Sequence, residues 1–243
     1  MQHTFVIPTY QESLYLEECV QSLLAQTIES QVIITTSTPA IPIQQLAQKY
    51  GLDYHINPNP NAGIAGDWNF ALSKADTPLV TLAHQDDVYE PDYTRAIREQ
   101  FAACSADNVL IIFTNYTDVV DNRIRPAGLN AFVKSTLLFP FKFSRSISSR
   151  VLKRSILLFG DPVCCPSVTF NKAALGNFNF SADYLVALDW FAWYQLAQRE
   201  GAFVYIDKKL VRHRIHPASE TARQINKGIR RQEETRLLEL MWG

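Results

Sequence analysis

Four cysteines are all that the 243 residues hold, at positions 19, 104, 164 and 165. None pairs in C-x-x-C spacing, which excludes the usual structural zinc site and offers no disulfide framework. Charge of one sign is missing too: the net charge is −1, so no global field draws nucleic acid to the chain. No window approaches eighteen uncharged apolar residues, and no segment reads as a spanning helix. The start, MQHTFVIPTYQE, lacks a basic n-region and a long apolar run. That argues against a secretory signal and makes the cytoplasm the expected location. Internal repeats and low-complexity stretches are absent as well. What is there is 47% hydrophobic against 19% charged, enough to fill one large α/β domain or a domain with a small appendage.

Short apolar or β-branched runs, bounded by turn residues, predict strands at 4–8, 31–36, 53–56, 78–83 and 108–113. Apolar residues at 3–4 spacing predict helices over 14–26, 43–50, 68–73 and 92–103. This alternation implies right-handed βαβ units and a mostly parallel sheet, with the loops after Pro8, Thr36 and Ala83 gathered at one edge. The wound half runs to about residue 118. Further strands are expected at 164–170, 202–206 and 210–216, with an aromatic helix at 188–196 between them. Cys164, Cys165 and Ser167 read as buried small residues or as lining of an acceptor cleft. The tail, 222–243, reads as a charged helix whose Ile225, Ile229, Leu237, Leu238 and Met241 form one stripe, for a C-terminal brace or an oligomer contact.

From 122 to 160 the chain has no Asp or Glu, while eight Lys and Arg interleave with aromatic and aliphatic residues. Such a segment can lie on an anionic membrane surface. It can equally be a helical subdomain that packs its apolar face on the sheet and leaves its basic face in water. This span belongs to a second half, 119–221.

The stretch that organises the chain is VTLAHQDDVYEPD at 80–92. A buried strand stops at His84-Gln85-Asp86-Asp87, and two adjacent carboxylates at a strand end are costly unless something positive is held against them. Ligands of open α/β sheets bind outside the carboxyl ends of strands. Asp86 and Asp87 therefore suggest a divalent-metal and phosphate site; alone, they fit a solvated turn that caps the helix starting near Asp92 equally well.

FVIPTYQE near the start, then NAGIAGDWNFAL, then a strand ending QDD, then GNFNFSADYLVALDW: this order is similar to family-2 glycosyltransferases of GT-A fold, over nearly the whole chain. The subgroup resembles enzymes that build bacterial surface polysaccharides. The resemblance implies a nucleotide-sugar donor, a carbohydrate or lipid-linked acceptor, inversion at the anomeric carbon and Mg²⁺ or Mn²⁺ as cofactor. It puts Pro8, Thr9, Tyr10 and Glu12 beside the nucleotide, where Tyr10 can stack on a base. Asn61, Gly63, Asp67 and Asn69 match the segment beside nucleotide and donor sugar. Asp87 is expected to ligate the metal and Asp86 to be shared between ribose and metal, with His84 a hydrogen-bonded strand-end residue. Asp189 matches the general base, with Asp183 in reserve, and Trp68 reads as core. His213-Arg214-Ile215-His216 resembles a late loop that reaches the diphosphate, with Arg214 and His216 on the face that does so.

Two departures stand out. The acidic pair expected after the second strand is Thr35-Thr36-Ser37-Thr38, so Thr36 and its neighbours offer only hydroxyls to a base. The Glu expected before the general base is Leu188. The rival readings are a nucleotidyltransferase of similar architecture and a non-catalytic nucleotide- or carbohydrate-binding scaffold. The first needs a basic, glycine-rich loop after strand one, and Pro8-Thr-Tyr-Gln-Glu12 is neither; the second has no need of Asp189.

Overall fold

Period-two alternation along the central strands sorts the protein into layers. The computed structural model describes residues 2–104, 108–126, 128–217, 219 and 228–243. Strands β1 (His3–Thr9), β2 (Gln31–Thr36), β3 (Asp53–Ile56) and β4 (Leu79–Leu82) alternate with helices α1 (Leu16–Leu24), α2 (Ile41–Tyr50) and α3 (Gly63–Lys74). Next come β5 (Val88–Tyr89), α4 (Tyr93–Ala103), β6 (Val109–Val120), β7 (Arg123–Ile124), α5 (Leu129–Leu137), β8 (Ser146–Ile147) and α6 (Arg150–Ser155). The chain continues with β9 (Val168–Asn171), α7 (Lys172–Leu175), α8 (Leu188–Ala197), β10 (Ala202–Ile215) and α9 (Ile229–Trp242). Phe5, Ile7 and Ile34 pack with Leu16, Val20, Ile43 and Ile97 on one face. Val6 and Ile33 pack with Ala71, Trp193 and Leu237 on the other. A sheet buried on both faces needs near-continuous apolar strands, which is why these runs show little polar alternation.

The sheet order is β3-β2-β1-β4-β9-β6-β10-β5. β1 pairs in parallel with β2 and β4, and β10 in parallel with β6. β9 runs antiparallel between β4 and β6, so the carboxyl ends of β1, β2, β4, β6 and β10 share one edge. The sheet is mostly parallel, as the alternation implied, and the loops after Pro8, Thr36 and Ala83 meet there.

Some elements depart from their expected bounds. The strands anticipated at 202–206 and 210–216 are one strand, β10, whose register against β6 shifts between Ile206 and Val211. The hydrophilic Asp207-Lys208-Lys209 that broke the pattern is exposed there. β6 likewise runs on to Val120. Pro166 holds Cys165–Ser167 in a 3-10 turn, so the strand expected at 164–170 starts only at Val168. Of the helical tail, 222–227 and with it Ile225 lie outside the described residues. Leu237 and Met241 of α9 are buried in the core beside α8.

At the amino end of β10 the backbones close up. Gly201 has φ +113°, and a Cβ there would lie 2.3 Å from the Asn108 carbonyl oxygen and 2.8 Å from Leu110 Cγ. Gly201→Ala is therefore expected to cost about 3 kcal/mol and to lower the melting temperature by roughly 6–12 °C. Thermal denaturation followed by circular dichroism checks this, and an unchanged melting point contradicts it.

Candidate functional site

The edge where the strands end holds a dense polar cluster. Past β4 the chain turns at His84-Gln85-Asp86-Asp87; the last residues of β10 include Arg214, and His216 follows the strand. The backbone N–H of Arg214 donates to Asp87 Oδ1 at 2.8 Å, and its Nε donates to the Asp86 carbonyl at 2.9 Å. His216 Nε2 lies 2.8 Å from Asp86 Oδ2. The Asp-Asp turn thus docks on the end of β10 and does not cap α4, whose N-terminal Asp92 makes no capping bond. The guanidinium of Arg214 is fixed by Glu18 at 2.7 Å and by Asn122, and it lies over the Tyr15 ring at 4.3 Å. Tyr15 also packs against His216, ring centres 5.1 Å apart.

One carboxylate oxygen, Asp87 Oδ2, and one imidazole nitrogen, His84 Nε2, are buried without a hydrogen-bond partner among the described residues. Leaving such atoms bare is expensive. Ligand atoms of His84, Asp86 and Asp87 all lie within 4.8 Å of one another, a hard, oxygen-rich donor set of the kind a divalent cation takes. Burial pulls His84 down to about 4, keeping its ring neutral as a ligand must be. Burial pushes Asp87 up to about 7, with the charge of Asp86 adding to it while His213 and the Arg214 N–H oppose. His84 was expected to be a hydrogen-bonded strand-end residue; its Nδ1 stands 4.0 Å from Asp87 and its Nε2 has no bond. Trp68, half-buried, packs against the His84 ring and against Phe180. Next to the cluster, His213 bonds Asp118 at 2.9 Å. Burial lowers His213, but Asp118 and the charges of Asp87 and Asp86 outweigh it and the net shift is upward.

The residues expected at the nucleotide fall into two groups. Tyr10 and Glu12 are exposed beyond β1. The Gln85 side chain holds both the N–H and the C=O of Tyr10, at 3.2 and 3.1 Å, which locks the first loop to the Asp-Asp turn. Pro8 is half-buried in β1, and Gly63 opens α3 at φ +63° with free space where a Cβ would stand. The others look inward. The Thr9 hydroxyl donates to the Thr35 carbonyl, and the Thr36 hydroxyl accepts from the Thr38 N–H. Asp67 is clasped by Ser37 at 2.7 Å and Asn57 at 2.9 Å. Asn69 bonds both backbone groups of Phe180, tying α3 to the loop before α8.

Asp189 sits in the first turn of α8, its Oδ1 accepting from the Trp190 N–H at 2.8 Å. Burial raises its carboxyl above the ordinary range, against the opposing Trp190 N–H and Lys134 charge. Asp161, half-buried before the 3-10 turn, is raised well above it by burial and then by the charge of Asp189. Burial raises the Cys165 thiol well above its ordinary value, and the charges of Asp189, Asp161 and Asp87 add to it. Lys134 of α5 reaches in, donating to the Tyr116 hydroxyl at 2.8 Å. Glu233 of α9 accepts from the N–H groups of Leu185, Val186 and Ala187 at 2.8, 2.7 and 3.0 Å. Those donors lie where α8 begins, so a carboxylate from another helix caps the helix that carries Asp189. Asp183, the reserve candidate, is exposed; its carboxylate accepts from the Ser181 hydroxyl and its backbone carbonyl from Arg236.

Tyr15, Glu18, Asn122, Lys134, Asp161 and Glu233 build this site and lie outside every motif. A local signal existed for Asp161 alone, as the first acid after the acid-free stretch.

A carboxyl whose pKa rises on folding stabilises least at high pH. Below about 4 it is protonated in both states, and above about 7 folding must bury its charge. Asp87→Asn removes that cost. In chelator the variant is expected to melt above the wild type at pH 8, by a margin that shrinks as the pH falls from about 7 toward 4, by scanning calorimetry; a margin that is the same at pH 8 and pH 5 contradicts this.

Several known proteins share the fold and the sequence pattern. The uncharacterized glycosyltransferase RP339 of Rickettsia prowazekii is 25% identical over 234 residues, 92% of this chain and 67% of that protein. RT0329 of Rickettsia typhi is 25% identical over 228 residues, again 92% and 67%. Among solved structures, residues 1–349 of TarS from S. aureus superpose with TM-score 0.66 at 17% identity, covering 88% of this chain and 60% of that one. The mannosyltransferase PcManGT of Pyrobaculum calidifontis, in complex with GDP-Man and Mn²⁺, gives 0.66 at 16%, covering 93% and 60%. The chain thus spans about three fifths of the length of these solved structures, and the likeness establishes a GT-A fold. The model of glycosyl transferase family 2 matches residues 4–170, more than half of the chain, and the chain belongs to that family.

Proposed function

We propose that the protein is a metal-dependent, inverting glycosyltransferase. It moves a sugar from a nucleotide-sugar donor to a carbohydrate or lipid-linked acceptor in surface polysaccharide synthesis, peripherally on the inner face of the cell membrane. The observation that carries this reading is the His84–Asp86–Asp87 cluster, with its two bare buried atoms, at the carboxyl edge of the sheet. Two structural neighbours support it: TarS was solved in complex with UDP-GlcNAc, and PcManGT in complex with GDP-Man and Mn²⁺.

On this reading Asp87, Asp86 and His84 hold Mg²⁺ or Mn²⁺, which supplies positive charge to the diphosphate as it leaves. Tyr10 stacks on the base and Glu12 accepts from base or ribose, with Pro8, Thr9, Thr36, Asp67 and Asn69 shaping the loops around them. Gly63 lets the start of α3 approach the donor closely. His216 faces the phosphates, and Arg214 adds its field while fixing the Asp-Asp turn. Asp189 takes the proton from an acceptor hydroxyl; the acceptor oxygen bonds the anomeric carbon as the bond to the phosphate oxygen breaks, with inversion. Residues 1–118 serve the donor and 119–221 the acceptor, and the helix in 222–243 braces α8.

Asp189→Asn is expected to keep nucleotide affinity and to lose transfer by about 10²–10⁴-fold. Unchanged turnover sinks the base assignment. Asp87→Ala is expected to abolish Mn²⁺-dependent donor binding in titration calorimetry; equal affinity with and without chelator contradicts the metal site. Thermal shift across a panel of nucleotide sugars with Mn²⁺ identifies the donor, since a ligand at about a hundred times its Kd adds about 2.7 kcal/mol to stability.

A further inference from the structure

We propose that the face built by residues 122–160 docks on an anionic bilayer through an apolar groove ringed by cations. This rests on the peripheral location proposed above and not on the transfer chemistry. The segment folds as β7, α5, a 3-10 turn (Phe139–Lys142), β8 and α6, and only part of it turns inward. Phe141, Ile147, Ile156 and Leu157 join the core. None of the residues of α5 is buried, and Phe132 on it is 69% exposed. Phe143 is 80% exposed, and Phe139 and Val151 are exposed too. Of seventeen exposed large hydrophobic residues among those described, nine fall between Ile124 and Phe159. Scattered singly they would mean little, but Phe139, Phe143 and Leu152 line one groove, and such a cluster marks a contact surface.

The centre of the patch is a cavity of about 430 Å³ whose apolar lining is Phe139, Pro140, Phe143, Ile147 and Leu152, with Ser144 at its rim. Phe139 and Phe143 meet edge to face at 5.2 Å, and the Lys142 ammonium lies 5.8 Å from the Phe139 ring centre. Lys142 and Arg145 are exposed, and among the described residues no carboxylate pairs with either. Aromatic rings beside cations suit the headgroup level of a membrane.

Charge decides between occupants. The 122–160 segment holds no acidic residue; of its eight basic ones Lys153 is buried, Lys134 turns inward and Arg150 pairs with Glu200, while Lys142 and Arg145 stand exposed beside the groove. A second copy bound face to face would set Lys142 and Arg145 against themselves, because a two-fold interface pairs a surface with its own copy. A negatively charged surface has the complementary charge, and a bilayer also takes up the aromatic rings.

The test is sedimentation of the full chain with vesicles, without donor. Vesicles of phosphatidylcholine containing about a third phosphatidylglycerol are expected to carry the protein down at low salt and to release it as salt rises. Lys142→Gln with Arg145→Gln is expected to weaken binding about fivefold per charge, and Phe139→Ser with Phe143→Ser to abolish it. Circular dichroism and melting temperature check that both variants fold. A donor-induced thermal shift unchanged in these variants keeps the docking surface distinct from the transfer site. No sedimentation at low salt, equal binding to pure phosphatidylcholine, or retention by the folded Phe139→Ser/Phe143→Ser variant overturns the proposal. A dimer in sedimentation velocity that the same variant dissolves overturns it too, by giving the face to a second copy.

Discussion

A carboxylate buried with half its acceptor capacity unused is the constraint on which the site depends. Asp87 Oδ1 has the Arg214 N–H, while Oδ2 has no hydrogen-bond partner among the described residues. Burying a charge without a partner is among the least favourable things a fold can do, and the surroundings are arranged around it. Arg214 fixes the turn from β10, Glu18 and Asn122 fix Arg214, and Tyr15 stacks beneath it. The polar groups that could have satisfied Oδ2 are turned elsewhere: His216 to Asp86 and His213 to Asp118. What remains is a concentrated negative site aimed at the edge where parallel strands end.

The second support is remote. α9 contributes Leu237 and Met241 to the core, and its Glu233 caps the start of α8 from outside that helix. The position before Asp189, where the family pattern expects an acid, is the buried Leu188. A carboxylate is still present at that helix start, delivered from forty-odd residues downstream. The C-terminal helix thereby holds the segment before α8 as well as filling the core. Lys134 does the reverse from the basic segment, sending one cation inward while its helical neighbours face out.

Much of the fold was legible because its signals are local. Phe5–Val6–Ile7 and Val32–Ile33–Ile34 announce strands buried on both faces, and Leu16, Cys19, Val20 and Leu23 announce one helical stripe. Where the pattern misled, a short-range feature outweighed the long-range one. Asp207-Lys208-Lys209 looked like a turn, but pairing with β6 carries β10 straight through it. The sequence did not show that the side chains of Asp67 and Asn69 also hold Ser37, Asn57 and Phe180. His84 looked like a satisfied strand-end residue, but Trp68 and the Asp-Asp turn enclose it without offering Nε2 a partner.

By itself, the sequence determined the alternation of strands and helices, the edge at which their loops meet, and the Asp86-Asp87 turn as its charged centre. Backbone periodicity and turn chemistry act over a few residues, and a single chain states them fully. Only the tertiary structure decided which distant groups complete that centre: Arg214 against Asp86, Asp161 beside Asp189, Glu233 on the helix at 188. It alone decided which apolar residues of 122–160 enter the core and which stay outside. Those choices depend on strand register and helix packing between groups far apart in the chain, up to 128 residues for Arg214 and Asp86, where a side chain's partner is set by tertiary geometry and not by its neighbours in the chain.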